Sequence, residues 1–227
     1  MKKIFFPIAF LLSTFIATNL KAETNEQPWA RIGLALGAEL SISTDGNFRD
    51  FVSDEFSVSV PPIYGGFVSK LDVFFRRGIT MTLGMNLRSI SRTEGYNTLL
   101  LSRYRTFINV GIDVVNNDNF RLSPFIGFST TINGLRHTYL PPSNDPITLA
   151  TARTSTLDLS QFGWFGLAVG LRYDIKHSNS IRTSYFIQWE QSLVNSNWTL
   201  QGNRVHDIPR FNNNALTFGA MISIVSS

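Results

Sequence analysis

The stretch Trp29-Ala30-Arg31-Ile32-Gly33-Leu34-Ala35-Leu36-Gly37-Ala38-Glu39-Leu40-Ser41-Ile42 decides how the chain is read. Its even positions, from Ile32 to Ile42, are all apolar, whereas the odd ones are Arg31, Gly33, Ala35, Gly37, Glu39 and Ser41. Successive side chains of a strand point to opposite faces, so this period of two makes one greasy face and one small or charged face. The same alternation returns in Ile63 to Phe75, Ile79 to Ser91, Leu99 to Val115, Phe120 to Asn133, Gln161 to Ile175, Ser180 to Leu193 and Ala215 to Val225, making eight segments.

The connections alternate as well. Arg76-Arg77-Gly78, Asn116-Asn117-Asp118 and His177-Ser178-Asn179 are short and rich in turn formers, whereas residues 43–62, 134–160 and 194–214 are long and polar, with 92–98 intermediate. An even number of antiparallel strands, tight turns at one end and long loops at the other, predicts an all-β, eight-stranded antiparallel up-and-down transmembrane β-barrel in a bacterial outer membrane, with both termini periplasmic. A secreted barrel with a greasy interior alternates equally well. The membrane reading is favoured by the Gly, Ala and Ser of the polar face, among them Gly37, Gly84, Gly127, Ala168 and Gly219, which suit a crowded lumen. It is also favoured by aromatic residues of the apolar face near segment ends, as at Phe75, Tyr104, Phe120, Tyr173, Tyr185 and Trp189.

Residues 1–22 have the form of a cleaved secretory signal peptide, with Lys2 and Lys3, an apolar run from Ile4 to Ile16 and small Ala22, leaving 23–227 as one barrel domain. Beyond the leader no apolar run is long enough for a membrane helix. The formal charge of +4 shrinks once Lys2, Lys3 and Lys21 go, because 17 bases then face 16 acids. A basic balance that small does not point to nucleic acid. Cysteine is absent, as suits export through an oxidising compartment.

The mature chain resembles the small eight-stranded outer-membrane barrel superfamily, in the manner of the outer membrane protein A transmembrane domain and its X and W relatives. Thr217, Gly219, Ile222 and Ile224 resemble the assembly signal of such proteins, although the chain ends Ile224-Val225-Ser226-Ser227 rather than on an aromatic residue. The resemblance implies three kinds of partner: outer-membrane lipid and lipopolysaccharide around the wall, the barrel assembly machinery, and a host or surface ligand at the long loops. It also admits enzymes, since lipid A deacylases and palmitoyltransferases share the architecture. The deacylases carry His-x-Ser on a strand, whereas here His177 directly precedes Ser178 in a turn.

With the polar face inward, the charges sort by height. A periplasmic tier holds Arg31, Lys70, Asp72, Asp113, Arg121, Arg172, Asp174 and Arg182, and an extracellular tier holds Glu39, Arg88, Arg92, Arg103, Arg105 and Glu190. Three-residue turns at 116–118 and 177–179 place Asp113 opposite Arg121 and Asp174 opposite Arg182. Unpartnered buried charge is costly, so these groups are expected to form a network with Asn86, Asn109 and Gln188. That network either plugs the lumen or lines a narrow, weakly anion-favouring diffusion channel.

The histidines His137, His177 and His206 lack metal-ligand spacing, so no metal or cofactor is expected. His206-Asp207 with Ser192 or Ser196 is a thin hydrolase candidate. The expected role is structural or surface-interacting (adhesion-like) without catalysis, with the channel and a lipid A-modifying enzyme as alternatives. Mass spectrometry of the exported protein is expected to find a chain beginning at Glu23; an intact Met1 in the membrane fraction would contradict cleavage.

Overall fold

A computed structural model describes residues 29–140, 155–212 and 214–226. The leader and the Pro141-Pro142 connection lie outside the described residues. The elements are β1 (Ala30–Ser43), α1 (Gly46–Phe56), β2 (Ile63–Phe75), β3 (Ile79–Glu94), β4 (Asn97–Ile112), β5 (Phe120–Tyr139), β6 (Ser155–Lys176), β7 (Ile181–Asn195) and β8 (Ala215–Val225). Each strand pairs antiparallel with the next, and β8 returns to β1 from Gly33↔Val225 to Ser43↔Ala215. Closure leaves no strand edge inside hydrocarbon, where an unpaired backbone group finds no water.

Side-chain exposure decides which way the greasy rows point. Leu34, Leu36 and Leu40 are 54%, 59% and 57% exposed, whereas Ala35, Glu39 and Ser41 are buried. The apolar rows of all eight strands therefore face outward and the polar rows face the axis, the reverse of a soluble barrel. Tyr173, Tyr185 and Trp189 stand on the outer surface, as interfacial aromatic residues do.

The strands run beyond the alternating segments. β3 continues to Glu94 and meets β4 through a tight turn at Gly95, where φ is +57°. β5 and β6 continue to Tyr139 and from Ser155, so much of the expected 134–160 loop is paired wall. Residues 43–62 hold α1, and residues 194–214 hold a short hairpin, Trp198–Leu200 with Asn203–Val205, attached to β6 at Ser160↔Thr199.

At this height the inward rows change character. Arg103 and Arg105 on β4 give way to Leu101 and Leu99, and β5 places Leu135 inward beyond Asn133. β6 cannot do the same by simple alternation, because Leu157 and Leu159 are out of phase with Gly166, Ala168 and Arg172. A bulge corrects the phase: the register shifts between Gly163 and Gly166 against both neighbours, and the adjacent Trp164 and Phe165 both point outward. Leu159 thus turns inward, and Asp158 and Ser160 turn to the outside. Where the wall leaves hydrocarbon for water, the outer face must become polar and the inner one apolar.

Replacing outward-facing Leu36 by Arg is expected to destabilise the barrel by about 2–4 kcal/mol in lipid vesicles, near the cost of a midplane guanidinium. Urea titration of tryptophan fluorescence measures it, and an unchanged midpoint contradicts a lipid-facing Leu36.

Candidate functional site

Polar side chains on a narrow inner wall meet across the axis, and they do so in two clusters. Toward the long-loop end, Glu190 on β7 is the hub. Arg88 reaches it from β3 (2.7 Å), Arg103 and Arg105 reach it from β4 (3.0 Å each), and Gln188 and Thr217 donate to it at 2.6 and 3.1 Å. Arg88 also donates through Nε to Glu39 on β1 at 2.5 Å. One arginine fork therefore joins two carboxylates from strands that are not neighbours in the ring, a use suited to a planar, permanently charged group.

Toward the short-turn end, Arg172 on β6 bridges Asp72 on β2 and Asp174 two residues along its own strand (2.7 Å each). Thr82 donates to Asp72 at 2.6 Å, and Arg121 on β5 pairs with Asp174. The expected hairpin register is corrected here. Asp174 sits opposite Arg121 and Ser184, not Arg182, because the β6–β7 turn pairs Lys176 with Arg182. Asp113 is not directly opposite Arg121, since Asn116 takes that place; it still approaches Arg121 Nε at 3.7 Å and accepts from Ser123 at 2.6 Å.

The two clusters do not merge. Between them lies a layer of Ala35, Val68, Phe107, Phe186 and Met221. Lys70 is buried in it, its Nζ 3.9 Å from the Phe186 ring centroid. The small residues of the inward face make this layer possible: the Phe107 ring lies where Gly84 would carry a Cβ, and the Phe186 ring does the same at Gly219. Arg88 likewise packs its stem against Gly66, its partner across the strands.

Above the Glu190 cluster, the mouth is filled by a second apolar core. Phe48, Val52 and Phe56 recur every fourth residue on α1 and pack with Tyr64, Leu99, Leu101, Leu135, Leu159, Trp198 and Phe211. Phe48 stacks on Trp198 with centroids 5.6 Å apart, and the Trp198 indole N–H donates to Pro209 at 2.8 Å. Asp45 caps the helix by accepting from Phe48 N (3.3 Å) and ties in the last connection by accepting from Asn212 N (2.6 Å). Burial pushes its carboxyl above the ordinary aspartate range, although these donors and Arg49 oppose the shift. Strand alternation gives no hint of this cap; the i, i+4, i+8 spacing of Phe48, Val52 and Phe56 is the signal in the sequence that does.

Arg92 is corrected: it is exposed on the part of β3 above the lumen. Arg31 stands at the turn-end rim, donating to the carbonyls of Ser226 (2.9 Å) and Asn179 (2.7 Å). Arg182 lies over Phe74 with no ion pair among the described residues. Of the residues expected to guide assembly, Thr217 is buried in the Glu190 cluster and Gly219 faces Phe186, while Ile222 and Ile224 lie on the outer surface. The Ser192 and Ser196 hydroxyls donate to Asn195 and Asn197 rather than to His206.

With the ring closed and its greasy rows outward, the class is decided. The fold is that of the small eight-stranded outer-membrane barrels. The attachment invasion locus protein Ail of Yersinia pestis, solved alone and in complex with the heparin analogue sucrose octasulfate, superposes with TM-scores of 0.51 and 0.50 at 10% and 9% identity. In both cases 88% of this chain and 100% of that one are covered. A major outer membrane protein from Thermus thermophilus aligns at 12% identity and a TM-score of 0.49, over 87% of this chain and 99% of its own. No protein-family model and no curated protein matches the sequence.

Glu190→Gln leaves Arg88, Arg103 and Arg105 clustered around a neutral amide. The expected cost is about 3–5 kcal/mol in urea unfolding from lipid vesicles, against no measurable change for Glu94→Gln on the surface.

Proposed function

We propose that the protein is a non-conducting outer-membrane barrel that presents a folded, hydrophobically cored cap at the cell surface as an interaction platform, without catalysis. In this reading the leader is removed, both termini and the short turns face the periplasm, and the long connections face outward. The observation that carries it is the ordered mouth. A lumen spanned by Arg88, Glu190, Phe107 and Phe186 is filled at successive heights, and α1 with the Trp198 hairpin closes the end above it. A loop that merely decorates a surface has no need of a buried Phe48–Trp198–Phe211 cluster.

The attachment invasion locus protein Ail, solved in one case with a heparin analogue bound, agrees with a surface-binding role for this architecture. The cap differs in charge from a sulfate-binding surface, however. Among the described residues, Arg49, Arg92, Arg136, Arg204 and Arg210 are offset by Asp50, Asp54, Glu55, Glu94, Asp158 and Asp207. A mixed, near-neutral face suits a protein or neutral glycan partner better than a polyanion.

Two measurements test this. The refolded protein in planar bilayers is expected to show no steady single-channel openings. Cells displaying it are expected to bind host cells or matrix above the level of cells lacking it. Val52→Asp, which places a charge in the cap core, should abolish that binding while the heat-dependent gel mobility of a folded barrel persists. Steady openings, or binding equal with and without the cap, would overturn the reading.

A further inference from the structure

The opposite end of the barrel holds a cavity of about 500 Å³ lined by Arg31, Phe74, Arg76, Arg121, Lys176 and Arg182 together with Asp113 and turn residues. It opens to solvent at the short-turn end, since Arg76, Asn116 and Asn179 belong to or flank those turns. Among the described residues its charge is not neutralised from within. Arg121 shares Asp174 and Asp113, whereas the partners of Arg31 among those residues are the carbonyls of Ser226 and Asn179, and those of Lys176 are the oxygens of Asn116 and Asn117.

Arg182 is the sharpest case. It is only 6% exposed, its Nε has no hydrogen-bond partner among the described residues, and its guanidinium stacks on the Phe74 ring at 4.5 Å. The Arg121 guanidinium lies against that same ring at 4.2 Å. Two like charges sharing one ring, with two more cations at the rim held by neutral oxygens, repel one another in a site partly withdrawn from water. An anion entering from solvent relieves that repulsion and satisfies the idle donor.

We infer that this vestibule is a binding site for a compact phosphate-class anion, held between Arg182 and Arg31 with Lys176 at the entrance. Guanidinium forks match the oxygen geometry of phosphate, and the neutral amides of Asn116 and Asn179 can complete the shell. The site is separated from the cap by the Phe107 and Phe186 layer and acts independently of whatever the cap binds. A free phosphate ester and the headgroup of an acidic phospholipid at the rim offer the same chemistry.

The test uses the full mature chain refolded in a maltoside detergent, which carries no phosphate. Pyrophosphate is titrated while the Arg side-chain Nε–Hε resonances are followed. Saturable shifts are expected, with affinity falling about tenfold or more in Arg182→Gln and in Arg31→Gln, the effect of losing one charge-assisted contact, and unchanged in Arg92→Gln at the far end. Arg31 stands at the rim, so its variant keeps the test valid if Arg182→Gln fails to show heat-modifiable mobility. Native mass spectrometry with glycerol phosphate and with phosphatidylglycerol then separates the sources. Preference for the lipid assigns a headgroup and equal binding assigns a free anion, and either supports the site provided the two arginines are required. Linear, unsaturable shifts, or variants that bind as the wild type does, would overturn it.

Discussion

Hydrocarbon can neither donate nor accept a hydrogen bond, and the structure is arranged around that fact. Because β8 closes on β1 the wall has no free strand edge, and the charged side chains at membrane height, such as Glu39, Arg88, Arg105, Asp174 and Glu190, point to the axis, where they meet other side chains. In so narrow a ring the inward groups of distant strands come within bonding distance, so Arg88 can hold Glu39 and Glu190 at once. The ion pairs are therefore less a source of net stability than the arrangement by which charge is tolerated at all inside the membrane. Removing one partner is worse than never having had the pair.

Stratification follows from size. Bulky inward groups need empty places beside them, and the register supplies these by facing Phe107 with Gly84, Phe186 with Gly219 and Arg88 with Gly66. The result is a stack: a cation-rich vestibule, the Asp72–Arg172–Asp174 cluster, an aromatic layer around Lys70, the Glu190 cluster, and the capped mouth. The two ends are chemically unlike, one an apolar core under a near-neutral surface and the other an open basket of cations.

The mouth shows how one wall serves two solvents. β4 and β5 manage the change by exchanging Arg and Asn for Leu on the inward row, whereas β6 also shifts phase at Trp164 and Phe165. Without the bulge, Leu159 would face water and Asp158 would face the apolar core. Strand extension beyond the membrane, the helix α1 and the Trp198 hairpin all depend on this reversal, since together they form the surface against which Phe48 packs.

Alternation, turn chemistry and length were legible in the residues because each is a local property of the chain. They sufficed for the strand count, the closed architecture and the inward side of Glu39, Arg88, Arg105, Arg172 and Asp174. Who meets whom was not legible. The turn after Lys176 leaves five residues, 177–181, outside the β6–β7 ladder instead of three, so Asp174 faces Ser184 on one side and Arg121 on the other instead of Arg182, and β3 runs on past the lumen, carrying Arg92 out of it. The cap lay further still from sight, since Phe48, Trp198 and Phe211 come from separate connections that only ring closure brings together. Sequence by itself determined which side chains of each strand share a face, because alternation is set residue by residue along the chain. Tertiary structure alone decided the partners across the axis, because those depend on register and curvature accumulated around eight strands.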